Sequence, residues 1–479
     1  MKYGIKRITC DLIKKLKREH MKQYKFLLIA IAICLSVASC KKDFFTGVNI
    51  NPNASTTSTP DLLLATVQAA LGYTQGGDFS RYSSLLDQQV FGYQNQTQVF
   101  YKYQINAGNF DNQWGDIYTS VMENNYTLIQ LADEKGYNEY SGISRLLMAY
   151  SLQLLVDNWG DVPYSQAFQA NKGGVITPSF DDDAALYDTI MSLINIGTTF
   201  LNNPDAGVLT PGSDDVIYNG DAGKWIKFGH ALKARLYIHQ SKDDAAMATN
   251  ALAEANMAFT SSADNAQYAF GNDQTSANPW YQFGRDRQAY ITFSNSTIAD
   301  MLTNLDDPRY PVFIDPDNDG GALSPSGTYF GGLPDYYGAV NAPVELITYD
   351  EILFLKAEAT LRLSGDIEAA QAFYQDAIQA DMRKLGISGA DIDTYIAANG
   401  TLPGNVTDAI AKVSLQEYIA LYLNPEAFTL WRRTGSPNLT PTGTGNIPRR
   451  YIYPQTEYSY NPSNTPQSTL YTPKIFWDK

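Results

Sequence analysis

The segment Asp315-Pro316-Asp317-Asn318-Asp319-Gly320 has the residue types and spacing of a calcium loop. Alternating aspartates followed by a glycine form the first half of a loop that binds Ca²⁺ through carboxylate oxygens. The last loop position holds Ser326 instead of the usual glutamate, and no helical pattern follows directly. An acidic turn is therefore the leading interpretation. A calcium site formed by Asp315, Asp317 and Asp319 is the alternative.

The two histidines after residue 40, His230 and His239, are spaced unfavourably for a shared metal or catalytic site. Their separation on one helix corresponds to a rotation of about 900°, which places the side chains on opposite faces. His239 follows an apolar stripe that includes Trp225, Phe228 and Leu232, so we expect a hydrogen-bonded core histidine.

Other catalytic patterns are equally weak. The sequence contains no Gly-x-Ser-x-Gly, His-Glu-x-x-His or phosphate-loop motif. Paired carboxylates for glycoside hydrolysis stay an alternative, because the spacing of acidic residues along a chain does not show which of them meet. We therefore predict a protein that is not an enzyme, without catalytic residues and without a cofactor other than the calcium alternative.

The cysteine content and the net charge exclude further kinds of site and of binding partner. Only Cys10, Cys34 and Cys40 occur, so the chain after residue 40 has no disulfide framework and no thiolate metal site. Residues 40–479 carry 26 Lys and Arg against 48 Asp and Glu, a formal charge of −22. Nucleic acid is excluded as a partner, because phosphate binding needs a basic surface. Electrostatic attachment to an anionic membrane is disfavoured for the same reason.

Residues 21–40 have the pattern of a lipoprotein signal. A short basic stretch precedes the apolar run 26–37, which is too short for a bilayer span of roughly 20 residues. Small residues then lead into Cys40, as expected where a signal is cleaved before a lipid-modified cysteine. We predict a signal peptide over 21–39, lipidation of Cys40, and attachment to the membrane by the lipid only.

The remaining boundaries follow from composition. Residues 1–20 fit no part of a signal and are interpreted as a non-native upstream extension, with Met21 as the true start. The polar segment that follows the lipidated cysteine is rich in Pro, Ser and Thr, so 40–60 is predicted to be a tether. Residues 61–479 are predicted to form a single domain.

Apolar residues recur at helical spacing along most of this domain, which predicts a mostly α fold. Short helices separated by short breaks indicate stacked antiparallel pairs, as in degenerate tetratricopeptide-type repeats. The predicted helices cover 62–71, 114–132, 144–156, 183–202, 222–241, 244–259, 348–364, 366–385 and 411–423.

Three segments lack a helical pattern: 72–112, 262–346 and 435–479. They are rich in glycine, proline, polar residues and tyrosine, and their aromatic content argues against disorder. The chain has 33 Tyr, and aromatic faces with a polar edge suit carbohydrate or peptide ligands. Because long loops in compact domains are usually functional, we predict an irregular, loop-rich part that carries the ligand.

Seven short motifs follow one another along the chain. The segment 157–164 contains Trp-Gly-Asp-Val-Pro-Tyr, and 228–236 contains Ala-Leu-Lys-Ala-Arg. In this order they resemble the SusD/RagB family of outer-membrane nutrient-binding lipoproteins of Bacteroidetes, and the SusD-like branch in particular. The other five lie at 49–53, 307–309, 351–359, 431–437 and 448–457.

The resemblance implies a SusD-like fold and a non-catalytic binding protein on the cell surface. Such a protein captures a glycan and passes it to a SusC-like TonB-dependent transporter in the outer membrane. Oligopeptide capture, as in RagB-like members, is the first alternative to glycan capture. Glycoside hydrolysis is the second alternative. The signature residues are expected to be structural, with Trp159 and Tyr164 at a helix junction and Arg432 and Arg433 paired with carboxylates.

The resemblance carries no ligand residues over, so the predicted binding residues come from the irregular segments. Trp280 follows Asn278-Pro279, a turn that we expect to present the ring outward. Trp280→Ala is therefore predicted to remove most of the glycan affinity without unfolding the protein. The predicted ligand-binding residues are Tyr93, Asn95, Tyr101, Tyr103, Trp280, Tyr281, Arg285, Tyr336 and Tyr337.

Overall fold

A computed structural model describes residues 17, 18, 21 and 58–478, except 171–172, 205–207, 243 and 321–330. Thr59–Lys479 forms one compact unit. The predicted lipidation site Cys40 lies outside the described residues, and so does most of the predicted signal and tether.

The N-terminal part of this unit is a succession of helices joined by tight turns. The long central helix is buried on all sides, as its nearly continuous small and apolar sequence requires. Gly136, in the left-handed conformation, ends the helix before it and turns the chain back. The helices are α1 (Pro60–Thr74), α2 (Ser80–Leu86), α3 (Asn95–Tyr101), α4 (Asp111–Gly115), α5 (Glu123–Lys135) and α6 (Asn138–Trp159).

The prediction that 72–112 lacks helices is wrong. Gln75–Phe79 forms a π-helical turn with a kink at Gly77, and it continues directly into α2. The polar and glycine-rich composition of this stretch suggested a loop, but α2 packs nearly all of its side chains into the protein. Burial in the tertiary structure outweighs weak intrinsic helix propensity here.

Antiparallel helix pairs follow, which confirms the predicted mostly α, tetratricopeptide-like fold. Three of the helices begin at an aspartate whose carboxylate accepts a backbone N–H of the first turn: Asp182, Asp221 and Asp244. These helices are α7 (Asp183–Leu201), α8 (Ala222–His239) and α9 (Ala245–Met257).

The helix α7 is long and apolar enough to cross a membrane by length and composition alone. It packs along α6 and also against α8. Packing against these two helices accounts for its apolar residues.

The segment 262–346 is mostly irregular, as predicted, with short helices and two small antiparallel sheets. Strands β1 (Phe91–Gly92) and β3 (Ile291–Thr292) pair with each other, and β2 (Ala266–Tyr268) pairs with β4 (Val344–Ile347). The pairing of β1 with β3 joins two segments that are far apart in sequence. The helices here are α10 (Pro279–Asp286), α11 (Thr297–Asn304), α12 (Tyr310–Phe313) and α13 (Asp335–Gly338).

The C-terminal part adds a further set of paired helices and then a largely irregular tail. The helix at 389–399 was not predicted, because it buries only Ile392 and Tyr395 and lacks a marked apolar stripe. The helices are α14 (Tyr349–Ser364), α15 (Ile367–Lys384), α16 (Gly389–Asn399), α17 (Val406–Ala420), α18 (Glu426–Thr434) and α19 (Gln455–Tyr460).

Two of the signature residues are structural in the expected way. Trp159 is fully buried at the end of α6, where its Nε1 donates to the Ile452 carbonyl over 3.0 Å. Arg433 is ion-paired with Glu358 inside the core. These contacts fasten the C-terminal part to α6 and α14.

The expectation for Arg432 is wrong. Its guanidinium binds backbone carbonyls, including Asp157 O at 2.6 Å and Arg449 O at 3.1 Å, and no carboxylate of the described residues. The guanidinium lies 4.3 Å from the ring centre of Phe428. Since five N–H donors can each reach a carbonyl, a buried arginine can join loop ends without an acidic partner.

Candidate ligand-binding cleft

The nine predicted binding residues divide into exposed and buried groups. Tyr93 is 54% exposed, and Asn95 is also exposed. Tyr281, Arg285 and Tyr336 are half-buried. The remaining four have nearly inaccessible side chains, so they are poorly placed to stack on a ligand: Tyr101, Tyr103, Trp280 and Tyr337.

The expectation that Trp280 presents its ring outward is wrong. Asn278 accepts the backbone N–H of Trp280 over 2.7 Å and thereby starts α10. This turn directs the ring inward, where only 3% of the residue is exposed and its Nε1 donates to Ser80 Oγ over 2.9 Å. Trp280 therefore fastens α10 to α2.

The two irregular segments form a well-formed cleft whose lining includes none of the nine predicted binding residues, although Tyr281 and Arg285 lie on the helix beside it. Tyr93 N donates to the Tyr290 carbonyl over 2.8 Å, next to the β1–β3 pair, so the two irregular segments meet. The cleft lies between α10 and the kinked turn that joins α1 to α2, and its volume is about 250 Å³. We call it the polar cleft. Its lining residues are Tyr73, Thr74, Gly77, Asp78, Arg81, Gln113, Asp116, Pro279, Gln282, Phe283, Asp286 and Arg287.

Two arginines and one phenylalanine form a wall of the polar cleft. The Arg81 guanidinium lies 4.7 Å from the ring centre of Phe283, and that of Arg287 lies 5.6 Å from it. Arg81 is also ion-paired with Asp78. A guanidinium fixed against an aromatic ring keeps its planar set of N–H donors in a defined orientation, which suits recognition of oxygen-rich ligands.

One residue that lines the polar cleft is an unusual glutamine. Gln113, in α4, is only 1% exposed, and neither of its side-chain amide atoms has a hydrogen-bond partner among the described residues. Such groups are rare in folded proteins because each one costs the free energy of its lost hydration. Both amide atoms are inaccessible in the free protein, so a ligand can bind them only if side chains around the cleft move.

Acidic groups complete the polar cleft. Burial, and secondarily the negative charge of Asp78, raise the pKa of Asp116. Asp286 is ion-paired with Arg285 at 2.8 Å, which holds this predicted residue at the edge of the cleft. Carboxylates accept hydrogen bonds and guanidinium groups donate them, so together they match the hydroxyl groups of a sugar.

The prediction for His239 is confirmed. It is fully buried, with Nε2 at 2.7 Å from Glu426 Oε1 and Nδ1 at 2.9 Å from the Tyr187 hydroxyl. Asp157 belongs to the same buried cluster, where it also accepts the Trp477 Nε1–H over 3.0 Å. These bonds are those of a satisfied core network, and they lie away from the residues that line the polar cleft.

The carboxylates of the aspartate-rich loop are engaged within the protein. Asp319 accepts the backbone N–H groups of Phe293 and Ser294 over 2.8 and 2.9 Å. Asp315 accepts the backbone N–H of Asp317 over 3.2 Å. These contacts are those of an acidic turn, and Ser326 lies outside the described residues. Calcium binding by Asp315, Asp317 and Asp319 stays a prediction, which calorimetric titration with calcium tests.

The irregular part contains most of the cleft residues that the sequence prediction missed. Asp78 and Arg81 lie in the first predicted irregular segment, and Phe283 lies in the second. The prediction favoured tyrosine and tryptophan, whereas the cleft depends on arginine, aspartate and glutamine. A signal was present in Gly76-Gly77, since adjacent glycines soon after the helical pattern of 62–71 mark a turn or a close approach of the backbone.

Comparison with known proteins defines the class. Residues 52–454 match the SusD-like family described as "Starch-binding associating with outer membrane". The chain therefore belongs to the SusD-like family. No curated protein matches its sequence.

Solved structures share the fold over most of the chain. A chitin-binding protein superposes with a TM-score of 0.74 at 23% identity, covering 88% of this chain and 100% of the other. A SusD/RagB family protein from Bacteroides thetaiotaomicron gives a TM-score of 0.68 at 24% identity, with coverages of 88% and 99%. A SusD-like protein of Bacteroidetes AC2a gives 0.72 at 20% identity, with coverages of 88% and 100%.

Proposed function

We propose that this protein captures a nutrient glycan in the polar cleft, at the cell surface, without cleaving it. The observation that carries the proposal is the pair of guanidinium groups, Arg81 and Arg287, beside the Phe283 ring in a cleft that Gln113 also lines. A sugar ring offers donors and acceptors in close succession, so its hydroxyl groups can bind these guanidinium groups and, once side chains around the cleft move, the amide of Gln113. Hydrogen bonds of this kind orient a ligand without any covalent step.

The comparisons support a carbohydrate ligand in preference to a peptide. The family description refers to starch, and one protein of the same fold is a chitin-binding protein. We infer accordingly that the ligand is an oligo- or polysaccharide. Oligopeptide capture, the alternative, is tested by including peptides in the same binding experiments.

The family is associated with the outer membrane, and we extend this to a location and a partner. The protein is held on the outer face of the outer membrane by lipid on Cys40. It covers a SusC-like TonB-dependent transporter and passes the glycan to it. Co-purification of such a transporter with the native protein tests the partnership, and protease accessibility in intact cells tests the orientation.

The role of the polar cleft is tested by Arg81→Ala, with maltoheptaose and chitohexaose as ligands in calorimetric titrations. Arg145→Ala is a matched control, because Arg145 is also paired with an aspartate, Asp133, and lies 4.9 Å from the ring centre of Phe200. We expect Arg81→Ala to weaken glycan binding by about tenfold, which corresponds to about 1.4 kcal/mol. Arg145→Ala should leave the affinity unchanged. Equal affinity of both variants would place the ligand elsewhere.

A further inference from the structure

A second concave site lies on the other side of the segment 113–119. Gln113 and Asp116 line the polar cleft, whereas Trp114, Tyr118 and Thr119 line a separate pocket of about 570 Å³. We call it the apolar pocket. Its volume falls within the range of roughly 300–1,000 Å³ that is typical of small-molecule sites.

The aromatic walls of the apolar pocket have their polar atoms already bound. Trp114 Nε1 donates to Glu457 Oε1 over 3.0 Å, and the Tyr118 hydroxyl donates to the Pro163 carbonyl over 2.7 Å. The two rings lie 4.8 Å apart, centre to centre. Because their hydrogen-bonding groups are satisfied within the protein, these residues contribute apolar ring surface to the pocket.

The opposite wall is formed by the loop after α6. Phe168 has a φ of +61°, which is uncommon for an aromatic residue, and its ring centre lies 5.2 Å from that of Tyr126. Further along the loop, Ile176 is 79% exposed and Val175 is 39% exposed. Exposed aliphatic side chains at the mouth of an aromatic pocket form a surface that apolar groups bind.

The charged residues that line the apolar pocket in the described part of the chain are both acidic. They are Glu123 and Glu457. Burial raises the pKa of Glu457, which shows that its negative charge is poorly solvated. A positive charge beside Glu457 would compensate for that lost hydration.

We propose that the apolar pocket is a second binding site, which takes a small organic cation with an aromatic or aliphatic body. The apolar body packs between Tyr118 and Phe168, and the positive end faces Glu457. This chemistry differs from that of the polar cleft, so the site is independent of the glycan-binding function proposed above.

The test uses two probes that share an indole ring but differ in charge. Tryptamine is cationic and indole-3-propionate is anionic. We expect tryptamine to bind the full-length protein at least tenfold more tightly in calorimetric titrations. Glu457→Gln keeps an oxygen acceptor for Trp114 Nε1 while removing the charge, and it should lower tryptamine affinity at least fivefold. Ile176→Ser changes an exposed position, so it should also weaken tryptamine binding without affecting folding.

Arg81→Ala is the control for location, because Arg81 lies in the polar cleft. This variant should bind tryptamine as the unaltered protein does, and Glu457→Gln should bind glycan as the unaltered protein does. Equal affinity for the two probes, no binding at millimolar tryptamine, or loss of tryptamine binding in Arg81→Ala would each overturn the proposal. Self-association that Ile176→Ser abolishes, without any tryptamine binding, would instead assign the pocket to a second copy of the chain.

Discussion

Replacing Gln113 with methionine removes two buried polar atoms and nearly preserves the side-chain volume. Leaving a buried donor or acceptor unpaired costs about 1–3 kcal/mol. The folded protein without ligand bears this cost at Gln113, where neither amide atom has a partner among the residues that the structure describes. Gln113→Met is therefore expected to raise the free energy of unfolding by about 1–3 kcal/mol.

The same substitution is expected to weaken glycan binding. Two hydrogen bonds from the amide to the ligand, each contributing about 0.5–1.5 kcal/mol, correspond to a loss of about 5- to 150-fold in affinity. Urea denaturation measures the stability, and calorimetric titration with maltoheptaose and chitohexaose measures the binding. A rise in stability together with a fall in glycan affinity is expected for a ligand-binding group that has no hydrogen-bond partner in the free protein.

Gln68→Met is the matched control. Gln68 is also fully buried, but its Nε2 donates to Asp215 Oδ1 over 2.7 Å and its Oε1 accepts the Val216 N–H over 2.8 Å. Gln68→Met should lower the free energy of unfolding by about 1–3 kcal/mol, since it leaves the buried partners of Gln68 without a hydrogen bond. A loss of stability in Gln113→Met, together with unchanged glycan affinity, would refute the reasoning.

Three further outcomes are expected. Trp280→Ala should destabilise the protein by about 3–5 kcal/mol in urea denaturation, because the ring is buried in the core; full stability with lost glycan affinity would instead support an outward ring. Burial raises the pKa of Asp183 to about 6 from its ordinary 3.8, so stability should fall as pH rises from about 4 to 6, where the folded protein binds the proton more tightly. Asp183→Asn should remove this part of the pH dependence, which denaturation at several pH values measures. Cys40→Ala should abolish labelling by radioactive palmitate and release the protein from the membrane fraction; retention there would contradict the lipid anchor.

Helical periodicity was sufficient to predict paired helices such as α7 and α8, because each buries one side of a regular apolar pattern. It missed α2, whose sequence is mostly polar, and α16, which buries only Ile392 and Tyr395. The helix α2 is stabilised by burial among distant segments, and this information is not local in the sequence. The prediction of an irregular segment over 262–346 is right for most of its described residues, because prolines and glycines keep the helices α10 to α13 short.

The site was predicted less well than the fold. Aromatic residues in irregular segments were expected to face a ligand, but Tyr101, Tyr103 and Trp280 are buried by packing between segments that are far apart in sequence. The polar cleft depends on the approach of α10 to the kink before α2. Gln113 gave no signal, because a glutamine without a partner is recognised only when its surroundings are known.

The central claim is that this SusD-like protein binds a glycan and does not cleave it. The most direct measurement is a calorimetric titration with a panel of oligosaccharides and oligopeptides, followed by a reducing-end assay on the same samples. The account predicts saturable binding of at least one class of oligosaccharide, weakened by Arg81→Ala, with no new reducing ends. Release of reducing ends, or saturable binding of peptides alone, would contradict it.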